Sequence, residues 1–314
     1  MGYQSVIVAN PARLSARNNR LCIDNGETAG IPLEDIRCLM LESAQISLTS
    51  ALLARLAESG ITVFVCDGKH LPKAVFQPVS SHSRQLRQLR LQMNQTLPAK
   101  KRLWRQIVAA KVANQAKCLD LAETAGGKAL RAMVPFIKPG DPQNVEGRAA
   151  AFYFKALFGS DFARDDENEV NAALNYGYGI LYGLVEKACL IAGLDPYLGF
   201  LHTDNYNKKS LVFDFIEPFR TWIDEPVVYL FTGRKMSAEF FDIQQAAVTL
   251  NDKGKPVVIT AVNEFLDTAI RHAGRNLLRR AVLQLEAHAV AQAILKQEDL
   301  KNVNRRDLDE KMVF

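Results

Sequence analysis

Through its first 80 residues the chain gathers its apolar positions into short blocks bounded by turn-forming residues, as strands do. SVIVAN (5–10) is rich in β-branched residues and stops at Pro11. ARLSARNNRLCID (12–24) splits at Asn18 and Asn19, which tolerate the positive φ of a tight hairpin turn. IPLEDIRCLMLES (31–43) has strand-like spacing of Ile and Leu, and KAVFQPV (73–79) adds another short strand. ITVFVCD (61–67) is the nearly continuous apolar run of a buried strand. Only LTSALLARLAE (48–58) has helical periodicity here, and Gly60 fits its C-terminal cap. From residue 83 the period becomes helical, through RQLRQLRLQMNQ and KKRLWRQIVAAKVANQAKCLDLAE, then over 146–158, 169–192 and 262–295. AAVTL-NDKGK-PVVIT (246–260) interrupts the helices as a predicted hairpin. The pattern predicts an α+β protein of two domains. A β-rich, sandwich-like domain spans 1–80, a larger all-α domain spans 81–296, and a polar tail spans 297–314, with the boundary near 78–83.

Composition changes this picture little. A length of 314 residues favours two domains, and 48% apolar with 23% charged residues excludes wholesale disorder. Five scattered cysteines without a C-x-x-C pair predict reduced thiols rather than a disulfide framework or a zinc site. No apolar run reaches the length of a membrane span, and the N-terminus has no secretion-signal pattern, so a soluble cytoplasmic protein is expected.

Charge is more telling. The net +5 is modest, but residues 68–119 hold no acid and eleven Lys or Arg. Arg84, Arg87 and Arg90 recur every three residues along one helical face, with Lys101 and Arg105 on the next segment. Such a stripe suits a nucleic-acid phosphate backbone, the plainer reading being a solvated helix face. Arg271, Arg275, Arg279 and Arg280 form a second predicted cluster on the late helix. A different chemistry is offered by GFLHTDNYNKKSLVFDFIEPFR (199–220), where Asp214 and Glu217 sit among Leu, Val, Phe and Ile. Buried carboxylates need partners: either Arg220 or Lys208 in a salt bridge, or a divalent cation shared with His202. Pro218 biases Glu217 away from helical geometry. Glu146, in QNVEGRAAAFYFKALF, has the ordinary setting of an acid in a helix first turn. Gly177, Gly179 and Gly183, inside a helical pattern, predict close helix packing.

Taken in order, IPLEDIRCLMLE, SLTSALLARLAESGITVFVCDGKHLP, VEGRAAAFYF, NAALNYGYGILYGLVEKACLIAGLDPYLGFLH and SLVFDFIEPFR span nearly the whole chain. They resemble the CRISPR-associated adaptation endonuclease/integrase family, the first of the numbered Cas proteins, in the form found in type II systems. The resemblance implies a catalytic metal triad of Glu146, His202 and Glu217, where many members have Asp at the last position, with Asp214 as an accessory acid. It implies Mg2+ or Mn2+ as cofactor, and insertion of new spacers by 3′-OH attack on repeat phosphodiesters. The implied partners are double-stranded and branched DNA (protospacer and CRISPR repeat), a second copy of the chain joined through the β-rich module, and the second Cas protein in a heterohexameric adaptation complex. The chain departs from the family pattern at RDDENEV (164–170), where a proline-rich stretch is common, and at Thr221, where proline often follows. Two rival functions stay open: a stand-alone structure-specific nuclease on branched DNA, and a non-catalytic DNA-binding scaffold.

Overall fold

The structure, a computed structural model, describes residues 4–26, 28–67, 72–76, 83–201, 208–244 and 247–296. Its first part holds β1 (Gln4–Val8), β2 (Ala12–Arg17), β3 (Arg20–Asp24), β4 (Thr28–Pro32), β5 (Ile36–Leu41), β6 (Ile46–Ser47), α1 (Ser50–Glu58), β7 (Thr62–Cys66) and β8 (Pro72–Phe76). They make two four-stranded sheets, ordered β1-β5-β7-β8 and β4-β3-β2-β6. Strands β1, β5 and β7 are parallel, and β8 runs back along β7. The β2–β3 turn falls at Asn18 and Asn19, with φ of 49° and 58°, the left-handed pair that a two-residue hairpin of this twist needs. Alternation along the strands then sets the core. Val6, Val8, Leu39 and Val63 meet Leu14 and Leu21, and Leu52 and Leu56 of α1 close it. The alternate positions Cys38, Met40 and Phe64 pack on Ile191 instead, which joins the sheet to the helical part. A Lys187–Glu42 ion pair braces the same joint.

The second part holds α2 (Ser83–Met93), α3 (Leu97–Leu121), α4 (Gly127–Met133), α5 (Val145–Phe158), α6 (Glu169–Ile191), α7 (Ser210–Ile216), α8 (Thr221–Thr232), β9 (Phe241–Gln244), β10 (Ala247–Leu250), α9 (Gly254–Leu266), β11 (Ala269–His272), β12 (Arg275–Leu278) and α10 (Arg279–Lys296). Helices α6, α7, α8, α9 and α10 share one apolar core, while α3, α4 and α5 build a second around Tyr153. This part is not all-α, because β9–β10 and β11–β12 are antiparallel hairpins. The hairpin predicted over 246–260 is displaced: residues 247–250 pair backwards with 241–244, and PVVIT lies inside α9. The Asn251 side chain accepts the Lys253 and Gly254 N–H groups at 3.0 and 3.1 Å and starts that helix. Val258, Val262 and Leu266 then fall on one buried face, so tertiary burial overrides the β-branched propensity. The helix predicted over 262–295 is broken at Ala273 and Gly274, whose φ values of 46° and 78° turn β11 into β12. The predicted boundary and the 297–314 tail lie largely outside the described residues. All five cysteines are free, and among the described residues no helix is long and apolar enough to cross a membrane.

Of the glycines predicted to allow close packing, Gly177 does and Gly179 does not. A Cβ at Gly177 would lie 2.4 Å from a methyl of Ile223 in α8, whereas at Gly179 it meets nothing within 4 Å. Gly177→Ala therefore lowers stability by about 1–3 kcal/mol through overpacking. Gly179→Ala raises it by about 0.5–1 kcal/mol through helix propensity. Denaturant unfolding of both variants checks the opposite signs, and equal effects would refute the packing account.

Candidate active site

Three elements deliver charged side chains to one buried point. Helix α3 carries Lys111 on its apolar side, next to Ile107, Val108 and Val112. Helix α5 begins at Asn144, in left-handed geometry, whose side chain accepts the Gly147 N–H at 3.2 Å. Asp141 adds a second cap, its two oxygens accepting the Val145 and Glu146 N–H groups at 2.9 and 2.8 Å. With the first turn thus fixed, Glu146 projects toward α3 and accepts a hydrogen bond from the Lys111 ammonium. Glu217 comes from the short 3-10 turn between α7 and α8. It keeps helical geometry (φ −54°, ψ −46°) despite Pro218, because the turn is held from outside: Asn114 donates to the Pro218 carbonyl at 2.7 Å.

Glu217 is nearly fully buried and doubly paired. Lys111 Nζ donates to its Oε2 at 2.6 Å, and Arg220 Nε donates to its Oε1 at 2.9 Å. Burial alone would raise its pKa, but Lys111 and Arg220 outweigh that and bring the carboxyl down to about 2. Lys111 is balanced the same way: burial disfavours its charge, and Glu217 and Glu146 more than restore it. Of the two salt-bridge partners weighed for this segment, Arg220 is the one found, while Lys208 is exposed.

His202 lies outside the described residues, but the chain just before it is held firmly. Asp214, fully buried in α7, accepts the Phe200 and Leu201 N–H groups on one oxygen, at 2.5 and 3.2 Å. Gly199 lets the loop lie this close, since a Cβ there would sit 2.7 Å from Ser210 and 2.9 Å from Asp214. Asp214 and Glu217, three residues apart, therefore serve different partners. Among the described residues no three His, Cys, Asp or Glu side chains are grouped to hold a metal. Glu146 and Glu217 aim one oxygen each at a single cation, the Lys111 ammonium, and two carboxylate oxygens so converged could also serve a hard divalent ion.

A second layer lies behind Arg220, whose guanidinium stacks 4.6 Å from the Tyr178 ring centre. The Tyr178 hydroxyl donates to one oxygen of Asp224, and the Tyr153 hydroxyl donates to the other at 2.9 Å. Sequence reasoning missed Lys111, Asp224 and both tyrosines. Lys111 had a signal, as a lone cation on the apolar stripe of α3. Burial pushes the Asp224 carboxyl from 3.8 up to about 6, against the two tyrosine hydrogen bonds. Folded Asp224 thus keeps a proton that the unfolded chain has released, so its contribution to stability falls as pH rises from about 4 to about 6. Asp224→Asn should remove that share of the slope. Urea midpoints of both proteins at pH 4, 5 and 6 measure it, and parallel curves would rule it out.

The basic window divides into different roles. Arg84, Arg87 and Arg90 lie on α2 as predicted; the Arg84 side chain is outside the description, and Arg87 and Arg90 are exposed. Gln88 and Gln92 fix the opposite side of α2 to the 192–198 backbone. The Lys101 stem packs on Gly140, and Arg105 Nε donates to the Ile137 carbonyl at 3.1 Å. The second predicted cluster is not on one helix. Arg271 and Arg275 sit on the β11–β12 hairpin, while Arg279 covers the Phe265 ring at 3.9 Å and Arg280 bonds Asp267 and Asn263. At the departure over 164–170, Arg164 donates to Asn171 and Asn175 and ties the loop onto α6.

The family described as CRISPR associated protein Cas1 matches residues 6–264. The CRISPR-associated endonuclease Cas1 of Neisseria meningitidis serogroup C is 40% identical over 241 residues, 76% of this chain and 79% of that protein. Among solved structures, a casposase bound to integration product aligns with TM-score 0.80 at 20% identity, over 95% of this chain and 96% of that one. A chain of a partial Cas6-RT-Cas1–Cas2 complex aligns with TM-score 0.71 at 18% identity, over 95% and 96%. At such identities the two structures speak for a shared fold.

Proposed function

The chain belongs to the CRISPR-associated Cas1 family, and from that premise we propose that it is a metal-dependent DNA endonuclease and integrase of CRISPR adaptation. In this reading Glu146, His202 and Glu217 hold Mg2+ or Mn2+, and a protospacer 3′-OH attacks a repeat phosphodiester. The observation that carries it is the convergence of Glu146 and Glu217 on one buried cationic position. Bound there, a divalent ion would neutralise charge developing on the reacting phosphate and favour the attacking hydroxyl in its deprotonated form.

The chain's own residues prepare that position. Lys111 and Arg220 keep Glu217 ionised at any working pH, and Tyr178 braces Arg220 from behind. Asp214 fixes the backbone that leads into His202. Arg87 and Arg90, exposed on an acid-free helix, suit sequence-independent contact with DNA phosphates. The partners proposed are protospacer and repeat DNA, a second copy of the chain, and a Cas2-type protein in a heterohexamer. For the second copy, β8 is an edge strand among the described residues, with Val75 and Phe76 exposed.

The test uses purified protein, the Cas2-type partner, a supercoiled plasmid carrying the repeat, and a labelled duplex with free 3′-OH ends. Label should join the plasmid only with Mn2+ or Mg2+, only with a 3′-OH, and not with His202→Ala. Joining without metal, or undiminished in His202→Ala, would overturn the proposal. Steep salt-dependent duplex binding with no joining would favour the scaffold reading.

A further inference from the structure

Lys111 has so far been given one task, holding Glu217 ionised, yet it occupies the position that the metal would need. Its ammonium touches one oxygen of Glu146 and lies 2.6 Å from one oxygen of Glu217, so it stands where those two carboxylates would meet a divalent ion. Its side chain is only 8% exposed, so it cannot simply swing into solvent. One turn along the same face of α3, Gln115 is also buried, and its Oε1 has no hydrogen-bond partner among the described residues. Residues four apart on a helix are neighbours, which puts Gln115 one turn beyond Lys111 on the same side of α3. A buried acceptor left without a donor is costly, and Lys111 is a cation one helical turn away.

We propose that Lys111 is a placeholder cation: it neutralises Glu146 and Glu217 while no metal is bound, competes with the divalent ion for them, and passes to Gln115 when the ion enters. The inference rests on the metal-dependent reading of the site and concerns how that metal is admitted. Two facing buried carboxylates without a counter-ion would repel each other and lose their charge. The lysine keeps them ionised and in place, and the same attraction then opposes metal entry.

The experiment is calorimetric titration of Mn2+ into full-length protein, with thermal unfolding followed in parallel. Lys111→Met removes the competitor: Mn2+ should bind on the order of ten-fold more tightly, and the metal-free variant should melt earlier, with Mn2+ raising its Tm more than that of wild type. Lys111→Arg keeps the charge and grips carboxylates bidentately, so Mn2+ should bind more weakly than in wild type. This arm decides the matter if the Met variant does not fold. Gln115→Leu keeps the lysine but removes its second partner, and should also weaken Mn2+ binding. Equal Mn2+ affinity in wild type and both lysine variants would overturn the placeholder role while leaving the metal site standing. No Mn2+ binding to folded wild type would overturn both.

Discussion

Replacing Glu217 with glutamine abolishes metal-dependent strand transfer, a loss of about 1,000-fold or more, while short-duplex binding stays within a few-fold of wild type. The asymmetry follows from what Glu217 touches. It is buried and faces Lys111 and Arg220, and none of its contacts lies on the exposed basic side of α2. The duplex affinity of the variant should therefore keep its salt dependence, since no phosphate contact is lost. Stability changes as well. The neutral amide would leave Arg220 without its carboxylate and Lys111 with Glu146 alone, and breaking a buried pair costs about 3–5 kcal/mol. Stacking on Tyr178 keeps Arg220 partly satisfied, which favours the low end. Because the Glu217 carboxyl titrates near 2 rather than 4.5, the stabilisation is fully present above pH 4.5 and is lost as pH falls toward 2. Assays at pH 7 thus see its whole effect. Transfer by Glu217→Gln at near the wild-type rate would remove Glu217 from the reaction. Duplex binding lost together with transfer would make its role one of support for the fold.

The elements legible in the sequence were those whose local chemistry and burial agree. The Asn18–Asn19 turn, the apolar run of β7 and the long α6 are each specified by their own residues, and the structure has them where the pattern put them. The misread stretch over 246–260 is where the two disagree: PVVIT has strand propensity, but Val258 and Val262 are spaced for one face of a helix. The β11–β12 hairpin was hidden because its turn opens on Ala273 in left-handed geometry, which leaves Gly274 as its one turn signal inside a helical pattern. The site was half legible. Acids in an apolar run declared that Asp214 and Glu217 needed partners, and Arg220 was within reach, yet the other partners lie 14 residues before Asp214 and 106 residues before Glu217. No spacing rule connects Lys111 to Glu217. Glu146 could not be told from any helix-opening acid without α3 across from it, and its proposed role came from resemblance rather than local chemistry.

Asp214→Ala should lower strand transfer by about 10–100-fold although Asp214 holds no reacting group, the range expected when the support behind a metal ligand is removed. Its carboxylate accepts two consecutive backbone N–H groups at the end of the loop that enters His202, and it is wholly buried. Truncation leaves both N–H groups without that acceptor and opens a hole under Gly199, so the segment loses its fixed approach to α7. The resemblance alone cannot say whether this acid binds the ion or positions the chain, and the geometry gives a way to separate the two. If Asp214 acts through His202, the double variant Asp214→Ala/His202→Ala should bind Mn2+ no more weakly than His202→Ala alone. If Asp214 were itself a ligand, removing it from a His202→Ala background would weaken Mn2+ binding further, because one more donor would leave the ion. The single variant gives a further check: Asp214→Ala should weaken Mn2+ binding no further than His202→Ala does, because Glu146 and Glu217 are undisturbed. Asp214→Asn keeps the volume and one acceptor oxygen, and should recover part of the activity, since that oxygen can still receive the Phe200 and Leu201 N–H groups. A further loss of Mn2+ affinity in the double variant, or an asparagine variant no better than alanine, would assign Asp214 to the metal instead of the loop.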